Sequence, residues 1–306
     1  MYLFFCLKIN RKEFKKLPGA ALLLQKMEDE GISWEYQEAL EKREDLSAEN
    51  ISVEDYLEGK EKDGILVTDD RQLAEKWEKR GVCCIGYQEQ EDTAFFNGAM
   101  AVISSFEEIS PAFFLQAFHH FHGIPLVITE TEQLVIRESC MDDFEKLYQI
   151  SREEGNDRYT ETMTGDYEQE REKFHAYITH AYAYYGFGLW TVLEKKTGVI
   201  LGRCGLSVVS DEYSPEGRLE LGYLIGCAYR RKGYALEACR GILKYIGDIW
   251  TYAGGIVEEN DGMSEDAPIY AVIHRENLPS VKLAERLGFQ LYGRLDEERM
   301  LYRYNI

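Results

Sequence analysis

The stretch Leu219-Glu-Leu-Gly-Tyr-Leu-Ile-Gly-Cys-Ala-Tyr-Arg-Arg-Lys-Gly-Tyr-Ala-Leu-Glu-Ala238 constrains the fold more than any other part of the chain. Its first half, from Arg218 to Ile225, has the alternation and apolar content of a strand. Its second half opens a helix whose inner face carries Cys239, Ile242, Leu243, Ile246 and Trp250 at helical spacing. Between them, Arg230, Arg231, Lys232 and Gly233 form a short cationic loop. A strand feeding a helix through such a loop suits a pyrophosphate. The first helical N–H groups lack partners within the helix, the macrodipole is positive there, and glycine lets the backbone approach closely.

The flanking sequence supplies an ordered set of elements. Leu134 to Glu138 reads as a strand, and Ser139-x-x-Asp142 resembles a capping box opening a helix with Phe144, Leu147 and Tyr148 on one face. A second helix is expected from Gln169 to Tyr182. Strands follow at Leu189–Leu193 and Val199–Val209, joined by the turn composition Lys195-Lys-Thr-Gly198. After the long helix come a strand at Ile269–His274, a helix at Leu278–Leu287 and two strands between Gln290 and Tyr304. The expected order is β-α-α-β-β-β-α-β-α-β-β.

Arg230-x-x-Gly233-x-Ala235 resembles the Q/R-x-x-G-x-G/A signature of the GNAT N-acetyltransferase superfamily. The wider string through Gly222-Tyr223 and Gly233-Tyr-Ala-Leu-Glu-Ala238 resembles its ribosomal-protein alanine acetyltransferase branch. Asn277-Leu-Pro-Ser280, followed by Ala284-Glu-Arg-Leu-Gly-Phe289, is similar to the family's second motif. The likeness spans about residues 132 to 306. It implies an α/β fold with a mixed, mostly antiparallel central sheet flanked by helices, and acetyl-CoA as cosubstrate.

The resemblance also implies a site. The strand ending at Ile225 would splay from Ile269–His274, and the pantetheine arm would lie in the gap on backbone groups of Leu224, Ile225 and Gly226. The pyrophosphate would sit on the loop Arg230, Arg231, Lys232, Gly233, Tyr234 and Ala235, and Asn277 would hydrogen-bond the arm. Glu220, on the same side of its strand as Gly222 and Leu224, is the candidate general base. Many members carry a tyrosine four residues after the N-x-x-S position, where this chain has Ala284; Ser280 is therefore the candidate acid, with Tyr223 as an alternative that more simply packs in the core. Tyr182, Tyr184, Tyr185 and Phe187 are candidates for an acceptor pocket. The implied reaction is direct acetyl transfer to a primary amine, on a protein N-terminus, a lysine or a small molecule, without a covalent enzyme intermediate. A catalytically weak acyl-CoA sensor is the alternative within the same fold.

The front of the chain reads differently. Residues 1–60 look mainly helical, from Phe14 to Met27 and from Trp34 to Lys42, and Glu41 to Asp63 reads as a solvated connection. Residues 61–130 alternate short strands and helices and imply a small Rossmann-like βαβ module before a transferase domain at 131–306. The acidic pair Asp69–Asp70 after a strand, then a helix and Gly81, resembles the C-terminal half of the haloacid dehalogenase-like fold. No D-x-D motif stands upstream to supply that family's nucleophile, so Asp69 and Asp70 are expected to cap the following helix, and phosphatase activity is the more distant alternative.

Composition removes other classes. With 55 acidic and 35 basic residues the net charge is −20, and both halves are acidic, so nucleic acid is not an expected partner. No run approaches the roughly 20 apolar residues that span a bilayer, so no membrane partner is expected either. Seven cysteines, with Cys83, Cys84, Cys204 and Cys239 in apolar runs and no CxxC pair, point to reduced thiols in a cytoplasmic setting and to no metal site. His119, His120 and His122 lie in an apolar helix and face different sides. The acidic run Glu258–Asp266 reads as a surface insertion. Both a monomer and a homodimer are compatible with these features.

Overall fold

The computed structural model describes residues 4–8, 17–29, 34–36, 63–88, 94–107, 109–156, 159, 163, 165–211, 214–252 and 268–305. The chain divides into two compact units, Met1–Ile124 and Pro125–Ile306. The expected surface insertion at Glu258–Asp266 and most of the connection at Glu41–Asp63 lie outside the described residues.

In the first unit, β1 (Phe4–Lys8), β2 (Trp34–Tyr36), β3 (Gly64–Thr68), β4 (Cys83–Tyr87) and β5 (Ala101–Ile103) form a sheet in the order β2-β1-β3-β4-β5. Every neighbouring pair is parallel. Each residue of β3 and β4 is buried, as expected when helices cover both faces of a parallel sheet. Ile65, Val67, Cys83 and Ile85 pack with α1 (Ala20–Asp29) and α3 (Pro111–Phe121), while Leu66 and Cys84 pack with Trp77 of α2 (Arg71–Glu78). Asp70 caps α2, accepting from the N–H groups of Gln72 at 3.0 Å and Leu73 at 3.1 Å.

The expectation of a mainly helical first sixty residues is corrected at two places. Phe4–Lys8 and Trp34–Tyr36 are strands, and the second pairs in register with Phe5–Leu7. The helix expected from Phe14 starts only at Ala20, because Pro18 and the left-handed Gly19 (φ 77°) precede it. A partner strand distant in sequence overrides local helical preference.

The second unit holds an eight-stranded sheet in the order β12-β13-β11-β10-β9-β8-β7-β6. Its strands are β6 (Val127–Glu130), β7 (Leu134–Arg137), β8 (Leu189–Glu194), β9 (Ile200–Asp211), β10 (Ser214–Ile225), β11 (Ile269–His274), β12 (Gln290–Arg294) and β13 (Arg299–Tyr304). All neighbours are antiparallel except β10 and β11. The fold class matches the expected mixed, mostly antiparallel sheet, and the element order from β7 onward is the expected one. The added edge strand is β6, which follows Pro125 with the run Leu126-Val127-Ile128 and pairs with β7.

Helices cover both faces. Ala238, Cys239, Ile242 and Ile246 of α6 (Tyr234–Tyr252) pack with Trp190, Cys204, Leu206 and Leu221, and Ala284 of α7 (Leu278–Leu287) joins the same core. On the other face, α4 (Phe144–Ser151) and α5 (Tyr167–Tyr185) meet through Phe144, Leu147 and Phe174. The capping box lies one residue later than expected, with the Cys140 N–H donating to Asp143 Oδ2 at 3.0 Å. Burial selects Asp143 for this role. It is 2% exposed and also receives two 2.7 Å bonds from Arg137 and one of 2.8 Å from Thr191.

Candidate active site

Strands β10 and β11 are in register only at Leu219–Ile269 and Glu220–Tyr270. Beyond that point β10 keeps pairing with β9 as far as Ile225–Gly202, and β11 keeps pairing with β13 as far as His274–Arg299. The two parallel strands therefore part in mid-sheet and open a notch between Leu221–Ile225 and Ala271–His274. Among the described residues, backbone groups of β10 that face this notch have no strand partner past Glu220. Two nearby groups are already engaged: the Gly226 N–H donates to Leu201 O at 2.9 Å, and the Ile225 carbonyl accepts from Arg230 Nε at 3.0 Å.

The loop below the notch is a short 3₁₀ turn, Cys227–Tyr229, then Arg230 to Gly233. Arg231 is left-handed at φ 63°, the only non-glycine residue with positive φ among the described residues, and Gly233 follows at φ 91°. Left-handed residues set between ordinary ones turn neighbouring N–H groups toward one concavity, which favours an anion. The helix α6 begins at Tyr234, so its unpaired N–H groups open at the same place. Arg231, Lys232 and Gly233 are exposed, and the Lys232 ammonium lies 5.7 Å from the Tyr229 ring centroid.

Not every residue of the loop turns its side chain outward. Arg230 is also exposed, but its guanidinium bonds inward to Ile225 O and to Asn156 Oδ1 and so shapes the loop. Tyr234 is buried, and its hydroxyl donates to Glu194 Oε1 at 2.7 Å. The bonds from Thr197 and Tyr234 hold the Glu194 carboxyl below the usual range. Glu237, one turn into α6, accepts from Thr131 Oγ1 at 2.6 Å and from Gln133 N and Nε2 at 2.7 Å, tying the helix start to the β6–β7 turn.

Glu220 lies on the face of β10 that also carries Gly222 and Leu224. There its Oε1 pairs with the Arg218 guanidinium at 2.6 Å, and both side chains are largely buried. Tyr223 points to the opposite face, and its hydroxyl lies 2.7 Å from Ser280 Oγ in the first turn of α7. Asn277 caps α7, its Oδ1 accepting from Ser280 N at 3.4 Å. Burial pushes the Tyr223 phenol up to about 12, against the opposing pull of the Ser280 bond. Ala284 is 3% exposed in the core, so α7 offers no hydroxyl at that position.

A pocket of about 560 Å³ including its open mouth lies on the α4–α5 side of β10, lined by Leu147, Ile150, Met163, Leu189, Arg203 and Leu224 among others. The expected aromatic lining is corrected. Tyr182 is core, accepting from Ser139 N at 3.1 Å and donating to Leu189 O at 2.8 Å, and Tyr185 is exposed beside Phe187. The Tyr184 side chain lies outside the described residues. Leu147 was legible as a buried helix residue, but no sequence signal brought Arg203 to this pocket.

Residues 133–290 match the acetyltransferase (GNAT) domain model. The uncharacterized protein YkkB of Bacillus subtilis is 32% identical over 104 residues, covering 34% of this chain and 51% of that protein. The uncharacterized N-acetyltransferase p20 of Bacillus licheniformis is 31% identical over 106 residues, 35% of this chain and 50% of that protein. The chain thus spans about half the length of the curated relatives it matches. The solved acetyltransferase (GNAT family) of Bacillus anthracis is 22% identical with a TM-score of 0.43, covering 58% of this chain and 96% of that one. Because the matched domain takes in more than half of the 306 residues, the chain belongs to the GNAT acetyltransferase family.

Proposed function

We propose that the unit Pro125–Ile306 transfers the acetyl group of acetyl-CoA directly to a primary amine. The observation that carries this reading is the loss of pairing between β10 and β11 after Glu220 and Tyr270, directly above the loop with left-handed Arg231 and Gly233. A notch lined by unpartnered strand backbone accepts an extended amide-bearing arm, and the loop with the start of α6 accepts a diphosphate. Leu224, Ile225 and Gly226 would line the arm. Backbone groups of Arg231 to Ala235, with the Lys232 charge, would hold the phosphates.

Bound there, acetyl-CoA supplies an activated thioester. The chain's own residues do the rest. The pocket wall orients the amine toward the notch. As the C–N bond forms and the C–S bond breaks, the amine loses a proton and the sulfur gains one. Glu220 takes the first through water, with Arg218 fixing its carboxylate. Ser280 gives the second, the Tyr223 hydroxyl behind it replaces that hydrogen, and solvent returns a proton to the phenol while Glu220 gives its proton up to water before the next turnover. No enzyme side chain needs to carry the acetyl group.

The test is calorimetric titration of the full chain with acetyl-CoA, followed by measurement of free thiol with a panel of amines. Micromolar binding with amine-dependent thiol release is the expected outcome. Binding with no release from any amine would identify a cofactor sensor, and absence of binding would remove the reading altogether.

A further inference from the structure

Among the described residues, the pocket beside β10 holds a cation, Arg203, with no anion paired to it. Arg203 stands on β9 opposite Leu224 and Thr191, and its guanidinium lies between two rings of α5, 5.6 Å from the Phe174 centroid and 5.3 Å from that of Tyr177. Its Nε is buried with no hydrogen-bond acceptor, and a terminal nitrogen makes one long bond of 3.4 Å to the Leu189 carbonyl. Among the described residues no carboxylate comes within ion-pairing distance of it. The rest of the lining is mainly apolar, with Leu147, Ile150, Met163, Leu189 and Leu224 in the walls and Ser151 and Tyr223 beside them.

A guanidinium whose Nε is buried without an acceptor beside a mainly apolar cavity gains when an anion arrives. Its planar fork matches a carboxylate, and the two nearby rings of α5 add cation–π attraction that helps hold it in place. Resting on the transferase reading above, we propose that Arg203 binds the carboxylate of the acceptor. The acceptor is then a free amino acid with an apolar side chain: the side chain fills the pocket, and the neighbouring α-amine is carried toward the notch beside Gly222 and Leu224. A polyamine would bring a second cation against Arg203 and is disfavoured.

The experiment compares leucine, methionine and phenylalanine with leucinamide and spermidine as acceptors for the full chain, using thiol release with saturating acetyl-CoA. For wild type, kcat/KM for leucine is expected to exceed that for leucinamide about 10- to 100-fold, the range for a charge-assisted hydrogen bond. Arg203→Met is expected to collapse this ratio toward one, mainly through a higher KM for leucine, and Arg203→Lys to restore part of it. Acetyl-CoA affinity measured on each variant reports whether the fold survives. Equal or better use of leucinamide or spermidine by wild type overturns the proposal, as does an unchanged ratio in Arg203→Met. Those results leave the transferase reading standing, since they require turnover. Failure of wild type to bind acetyl-CoA would instead sink that reading and this one with it.

Discussion

The hydroxyls of Tyr223 and Ser280 lie 2.7 Å apart, joining a strand to the helix that follows its former neighbour, on the far side of the point where β10 and β11 separate. Neither residue alone has an obvious claim on proton transfer. Serine is a very weak acid, and burial makes the Tyr223 phenol a weaker acid than an exposed one. In the proposed reaction the pair would act as a short relay, a proton given by one hydroxyl being replaced through the other. Ala284, small and buried one helical turn after Ser280, leaves that relay as the hydroxyl source on this face of α7.

If the relay protonates the departing sulfur, Ser280→Ala and Tyr223→Phe should each lower kcat about 10- to 100-fold while acetyl-CoA affinity changes little. The double variant should be no worse than the poorer single one, because both act on one proton path. Steady-state kinetics with calorimetric affinities check this. Additive losses would assign the two residues separate tasks.

The same phenol has a consequence for stability. An unfolded tyrosine ionises near about 10, whereas Tyr223 in the fold is pushed up to about 12. The folded state holds its proton longer, so this contribution is fully present below pH 10 and is lost as pH rises from 10 to 12. Its size is on the order of 2–3 kcal/mol. Denaturant midpoints over that range should fall more steeply for wild type than for Tyr223→Phe.

Gly233 has open space where a Cβ would project, but its backbone is left-handed with a φ of 91°. Gly233→Ala should therefore cost only the handedness strain, about 1–2 kcal/mol, with no clash. Gly233→Glu adds a negative charge beside the proposed diphosphate and should weaken acetyl-CoA binding about 100-fold or more. Calorimetric titration of the two variants separates strain from charge.

Glu220 is coupled to Arg218 through a 2.6 Å ion pair, so its removal has two effects. Glu220→Gln should destabilise the unit by about 1–3 kcal/mol by weakening the partner of a buried guanidinium. If the carboxylate also takes the amine proton, the variant's rate should lose its acidic limb when plotted against pH. A change in stability with an unaltered pH profile would leave Glu220 a structural partner of Arg218 only.

Gly202 is required by the sheet. A Cβ there would stand 1.9 Å from the Leu224 carbonyl oxygen, at a backbone φ of 156°. Gly202→Ala should push β9 from β10 next to the proposed arm-binding segment, costing about 1–3 kcal/mol and weakening acetyl-CoA binding. Thermal unfolding and titration of that variant report both.

The sequence by itself determined the order of elements from Leu134 onward and the position of the cationic loop, because apolar periodicity and the glycine–arginine punctuation are local properties. It also marked Asp70 as a cap and Ser280 as a candidate donor. Tertiary structure alone decided where non-local partners meet. Phe4–Lys8 and Trp34–Tyr36 became strands through parallel pairing across long stretches of chain. Arg203 came to its pocket because β9 pairs Arg203 with Leu224, while α5 lays Phe174 and Tyr177 over its guanidinium. Tyr223 found Ser280 across 57 residues because one strand leaves the sheet register and a helix turns back over the gap. Periodicity records which face of an element is buried, but which side chains from different elements meet there is settled by packing.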